Sequence, residues 1–206
     1  CLTVVSFIVV YPIFSFIQIT FAKRYPMDMG FTLRNIDTTI QKGALGFLIN
    51  SLLIAFFVAV IGNAISAMCA YFTARVPGKT SSFLHLMSIT SLAVPGIVLG
   101  LSYVIFFKGT FIYGTLAILI LVNTVHFFSS PYLMMYNSLG KLNMNLEAVG
   151  ATLGISRFRM IRDVFIPQTK STLIEMFSYF FVNSMMTISA VAFLATSKTK
   201  PLSLMI

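Results

Sequence analysis

Charge is the scarcest property of this sequence. Of 206 residues, 14 are Lys or Arg and 5 are Asp or Glu, so that charged residues make up 9% of the chain; soluble domains carry about a quarter. The hydrophobic share is 58% and the mean hydropathy +0.94. These values exclude a water-soluble core and predict an all-α polytopic membrane protein, in which each helix satisfies its own backbone polar groups. The few acids include no pair spaced for general acid–base work. Two cysteines, Cys1 and Cys69, lie in apolar settings and form neither a disulfide framework nor, with the two histidines, a metal site. No Gly-x-x-x-x-Gly-Lys-Ser/Thr loop and no Gly-x-Ser-x-Gly elbow occurs, so neither nucleotide binding nor catalysis is expected in this chain, and no cofactor. The net charge of +9 comes from basic residues scattered over the ends of apolar runs, where they face lipid head groups and not nucleic acid.

Long apolar runs fill most of the rest. A helix needs about twenty apolar residues to span a bilayer, and runs of that order lie at roughly 2–22, 44–74, 83–107, 114–136 and 171–195. About five transmembrane helices are therefore expected. Lys23-Arg24 closes the first run, and a mixed polar stretch follows to Gly43. The organisation read from this is 1–43 as a first span with an external loop, and 44–206 as the membrane core. Cys1 lies within an apolar run and Ile206 within another, so the expectation is part of a longer subunit, truncated at both ends.

Polar and helix-breaking residues inside these runs are the candidate functional positions. Pro95 in the third run frees a backbone carbonyl that a neighbour or water must satisfy, which makes Pro95-Gly96 either a kink lining a pathway or a packing kink. Asn183 and Thr187 in the fifth run are four apart and share a face if helical. They are read as facing a pathway, against the alternative of interhelical hydrogen bonds worth below about 2 kcal/mol each. His126, in the fourth run, is read as a structural hydrogen-bonder. Gly62, Ala64, Ser66 and Ala67 are small enough for close helix packing.

The polar exception is LEAVGATLGISRFRMIRDVFIP, residues 146–167. It reads as two short helices around a break. Leu139, Leu142, Leu146, Val149 and Leu153 recur at helical spacing and form one apolar stripe, with Glu147, Ala148 and Ala151 on a small second face. Gly154 suits the left-handed position just past a helix end. Ser156 can cap the next helix, Arg159 and Asp163 are spaced i, i+4, and Pro167 ends or kinks it. A small-faced helix between spans is either a solvated loop or a docking knob for another protein.

Gly154, nine further residues and then Val164-Phe165-Ile166-Pro167 resemble the EAA loop of permease subunits in binding-protein-dependent ABC importers. That family's signature is Glu-Ala-Ala, three residues, Gly, nine residues, Ile-x-Leu-Pro. Here the family's Glu position falls on Ala148 and its alanines on Val149 and Gly150, while Glu147 sits one residue early. Asn50-Ser51 ahead of a long apolar helix, and the stretch Pro95-Gly96 to Gly100 and Tyr103, resemble the same family, so the likeness covers residues 44–206.

The resemblance implies a MetI-like ABC-importer permease core in a bacterial inner membrane. It alone puts 137–170 in the cytoplasm, because Lys and Arg divide seven to seven between the two sides and the positive-inside rule is silent. It implies that Glu147, Ala148, Ala151 and Gly154 form the coupling helix on which a separate ABC ATPase dimer docks, with ATP and Mg on that partner. The other implied partners are a second permease copy or homologous half and an extracytoplasmic solute-binding protein. Thr187 to Leu194, followed by Thr199-Lys200, resembles the subgroup for 2-aminoethylphosphonate and ferric iron. The first is the expected solute, with ferric iron, spermidine/putrescine and thiamine as alternatives. A rival of another class is a secondary transporter driven by an ion gradient, but the inverted repeats and intramembrane charges usual there are not visible. A membrane-anchor subunit would need neither Pro95-Gly96 nor the 154–167 signature.

Overall fold

The computed structural model describes residues 2–205 and divides into a unit ending at Gly46 and another beginning at Phe47. In the first unit α1 (Leu2–Phe21) leads into an antiparallel hairpin of β1 (Ala22–Arg24) and β2 (Asp28–Phe31), followed by α2 (Arg34–Gln41). The hairpin lies where the sequence suggested only a polar loop, because three- and four-residue strands are too short to show an alternating pattern. Asn35 ties α2 to it, its side-chain amide donating to the carbonyls of Thr20 (3.1 Å) and Ala22 (2.8 Å).

The second unit is organised along α3 (Ala44–Arg75), whose 32 residues rise about 48 Å at 1.5 Å each. Among the described residues this is the one helix long and apolar enough to cross a membrane. Two further spans are counted if each of two bent pairs is one. The first pair is α4 (Lys79–Ile89), a 3-10 turn over Thr90–Ala93, and α5 (Gly96–Phe107), bent by 106°; the second is α6 (Leu116–His126) and α7 (Ser129–Gly140), bent by 50°.

Three of the expected continuous spans are therefore broken, each for a local reason. In 83–107 the residue before Pro95 is pushed out of the helical region, and Val94 is extended at φ −98°, ψ 114°. This is a full break and not a kink. In 114–136 the chain restarts at Ser129, which puts Pro131 in the first turn of α7, where a missing N–H leaves no bond unmade. In 171–195, α11 (Lys170–Met186) stops at Met186 and Thr187 turns extended at φ −67°, ψ 138°. The freed Thr187 carbonyl accepts from Ser203 Oγ at 2.8 Å, so the helix end is paid for by a partner sixteen residues on.

Two apolar clusters flank α3. Ile54 and Val58 pack with Ile118 and Val122 of α6, Phe180 of α11 and Val191. Further along, Ala70 and Tyr71 pack with Tyr132 and Met135 of α7, Met160 and Met176. Between helices in lipid, such close packing stands in for hydrophobic driving force. Gly62 illustrates it: a Cβ there would lie 2.7 Å from the Phe180 ring, so only glycine lets α11 come this close to α3.

Candidate coupling site

Between α7 and α11 the chain forms α8 (Leu146–Thr152), α9 (Arg157–Met160), a π-helical turn over Ile161–Phe165 and α10 (Ile166–Gln168). The expected stripe from Leu139 through Leu153 is not one face of one helix. α7 ends at Gly140 and α8 starts only at Leu146, with Asn143 Oδ1 accepting the Asn145 N–H at 2.9 Å between them. Within α8 the buried position is Gly150, while Val149 is 53% and Leu153 69% exposed. Met160 explains the rotation. Its methyl group occupies the place of a Gly150 side chain, where a Cβ would overlap it, so α8 and α9 meet through the glycine.

Local chemistry shapes the rest of the loop. Gly154 is left-handed at φ +69°. The N–H of Ile155 reaches the Gly150 carbonyl at 2.8 Å, and that of Gly154 reaches Ala151 at 3.1 Å, the paired bonds of a Schellman end. Ser156 Oγ accepts from the Arg159 N–H at 3.4 Å. Asp163 meets Arg162 at 3.9 Å, both exposed, and no Arg159–Asp163 ion pair is found among the described residues. The helix runs on through Pro167, the π turn before it making room for a residue that lacks an N–H and crowds the preceding carbonyls.

Ala148, Ala151 and Gly154 lie on the exposed side of this loop. Glu147 does not. Its carboxylate turns inward to Arg75, the last residue of α3. Arg75 Nε donates to Glu147 Oε1 and Nη2 to Oε2, both at 2.6 Å. Nη2 also donates to the Asn143 carbonyl (2.7 Å), and Nη1 to the carbonyls of Leu142 (3.1 Å) and Leu139 (3.4 Å) and to Met144 Sδ (3.2 Å). The Arg75 side chain is 0% exposed and that of Glu147 26%, and the guanidinium lies 5.2 Å from the centre of the Phe165 ring. The planar fork of arginine suits this two-bond geometry as lysine would not. The carbonyls it collects lie at and just beyond the end of α7, where a cation is favoured, and those of Leu139 and Asn143 also accept from the N–H groups of Leu142 and Leu146. Sequence reasoning did not single out Arg75. The available signal was the pairing of a lone arginine at a span end with the single glutamate of the polar loop.

The pathway candidates separate. Gly96 sits against α6 and the segment after α11, a Cβ there falling 2.5 Å from Ser189 Oγ and 3.0 Å from His126 Nε2. Gly100, one turn on, lies against the Ala190 carbonyl at 2.6 Å by the same measure. Pro95 is the capping residue ahead of α5. Thr187 is the capping residue after α11, its N–H still donating to the Asn183 carbonyl at 3.0 Å, and Asn183 donates its side-chain amide to the Tyr179 carbonyl of its own helix at 2.8 Å. Sequence reasoning did not single out Asn123 and read His126 as a structural hydrogen-bonder. Among the described residues Asn123 is 1% exposed with neither amide atom paired, and His126 Nδ1, Ser184 Oγ and Asn63 Oδ1 are also buried without partners. Unpaired buried polar atoms are rare in proteins and costly within a membrane.

Apolar helices around broken segments, with a polar loop clamped to the longest helix, are the composition and architecture of a membrane-embedded component. Residues 62–206 match the family described as binding-protein-dependent transport system inner membrane component, and the chain belongs to it. It is similar to the ferric transport system permease protein FbpB of Actinobacillus pleuropneumoniae, at 27% identity over 187 residues, covering 88% of this chain and 27% of that protein. It is also similar to the putative ferric transport system permease protein FbpB 1 of Haemophilus influenzae, at 26% identity over 187 residues, covering 88% and 30%. The chain thus spans less than a third of the length of either relative.

Proposed function

We propose that this chain contributes about five spans to the permease of an ATP-driven importer in a bacterial inner membrane, with residues 137–170 on the cytoplasmic side. The carrying observation is the exposed small face of Ala148, Ala151 and Gly154 on a loop braced against the longest helix, within a chain of this transport family. An ABC ATPase dimer docks on that face and holds ATP and Mg; a second permease half completes the pathway, and a binding protein delivers the solute. The pathway passes the break at Pro95-Gly96, where His126 and Ser189 converge.

The proposed solute is ferric iron. Both relatives carry ferric transport in their names, which favours iron over the 2-aminoethylphosphonate suggested by the Thr187–Leu194 stretch. The test is reconstitution of the full-length permease with its ATPase and binding protein in liposomes. Uptake of radiolabelled ferric iron, delivered on the binding protein, should require ATP and exceed uptake of labelled 2-aminoethylphosphonate. Aminophosphonate uptake without iron uptake would reverse the solute assignment. Uptake that follows an ion gradient and ignores ATP would replace the importer with a secondary transporter.

A further inference from the structure

We infer that Glu147 is not part of the surface offered to the ATPase but half of an internal joint, which with Arg75 couples α8 rigidly to the end of α3. The inference rests on the reading that this loop is the docking site, and it divides that site into a face and a joint.

Both Glu147 oxygens are engaged by one guanidinium at 2.6 Å, and each of the three guanidinium nitrogens donates to the loop or to the end of α7. For Glu147 to turn outward to a cation on another protein, it would have to leave a fully buried arginine without its counter-charge, which is strongly unfavourable. The carboxylate is therefore committed within the chain.

The position of Arg75 gives the joint its mechanical meaning. Its backbone is the last turn of α3, and its head group is held by the Leu139 carbonyl of α7, by the carbonyls of Leu142 and Asn143 leading into α8 and by the Phe165 ring of the π turn. Four segments converge on one side chain. α3 also enters both apolar clusters, through Ile54 and Val58 in one and Ala70 and Tyr71 in the other. A push on α8 is delivered through Arg75 to a helix that contacts both clusters. What remains for the ATPase is a small uncharged surface of Ala148, Ala151 and Gly154 beside exposed Val149 and Leu153. The complementary partner is a shallow apolar surface, with no requirement for an arginine or lysine facing position 147.

The experiment uses the full-length permease with its ATPase, purified together and reconstituted in liposomes. Glu147→Gln should keep the ATPase at the wild-type level through purification and keep ATP hydrolysis, while solute imported per ATP falls tenfold or more. Glu147→Asp, which keeps the carboxylate, should recover part of that ratio; a residue that merely stabilised the fold would move protein yield and not the ratio. Since the loss of one charge can impair folding, a second measurement uses cysteine crosslinking in a permease background from which all native cysteines, Cys1 and Cys69 among them, have been removed. Ala148→Cys and Ala151→Cys should crosslink to the ATPase, and Glu147→Cys should not. Loss of the ATPase from Glu147→Gln, or efficient crosslinking from position 147, would make Glu147 a docking contact and overturn the inference. An unchanged import-to-hydrolysis ratio would remove the joint. If the wild-type permease itself retained no ATPase, the importer reading would fall first, and this inference with it.

Discussion

Gly154 allows conformation and space to be told apart at the end of α8. Its φ is +69°, and no atom lies within 4 Å of where a Cβ would be. A side chain therefore fits, and the whole penalty comes from the left-handed backbone, about 1–2 kcal/mol for alanine. Asparagine, although larger, visits that region more readily and should lose less. The seven residues of α8 are too few to hold a helix in isolation, so the terminal bonds of Ile155 and Gly154 to the Gly150 and Ala151 carbonyls count for much of its stability. A loss of about 1.4 kcal/mol would raise the opened population of this helix end roughly tenfold. Hydrogen exchange of the purified full-length permease in detergent reads this directly. At the Ile155 amide, Gly154→Ala should exchange roughly tenfold faster than wild type, with Gly154→Asn between the two. Gly154→Asp adds a carboxylate near the helix's negative end and on the proposed docking side, so it should also release the ATPase while the permease remains inserted. An order in which asparagine exchanges faster than alanine would mean that volume governs the site, and the conformational argument would be refuted.

Two further predictions concern packing and polarity within the bundle. Gly100→Ala should reduce thermal stability more than Gly62→Ala, because the added methyl meets the Ala190 backbone at 2.6 Å in one case and a movable Phe180 ring at 2.7 Å in the other; with overpacking typically costing about 1–3 kcal/mol, the melting temperatures of the two variants should be clearly ordered. Asn183→Leu removes a bond of about 1 kcal/mol to its own helix and should leave uptake near wild type, whereas Asn123→Leu, which alters a buried amide with no paired atom, should change uptake more than stability. Equal effects of the two asparagine variants on uptake would return Asn183 to the pathway.

What the sequence disclosed, it disclosed through local rules. The glycine at 154 and the serine cap at 156 each depend on residues within a turn or two and are visible in the string of letters, whereas at Pro95 the letters pointed to a kink and the backbone breaks. Hydropathy located the apolar stretches but could not show their continuity. It counts composition, and the composition of 83–107 or 171–195 is the same whether the backbone is one helix or two pieces. The end of α11 at Met186 is accompanied by the Ser203 bond to Thr187 and by the approach of Ala190 to Gly100, and neither is implied by the residues around 186.

The same reasoning explains why the coupling site was half legible. Its exposed small face follows from residues adjacent in sequence, whereas its joint spans 72 positions, from Arg75 to Glu147. The family's motif places a glutamate one residue further along, at Ala148, and on a helix one residue is a rotation of about 100°. That rotation turns the acidic side chain here from the side shared by Ala148 and Ala151 toward the end of α3. A one-residue shift that looks like a weakened match thus changes what the acid touches. It is engaged with a buried arginine, and the small residues beside it are left on the exposed side of the loop, where docking is proposed.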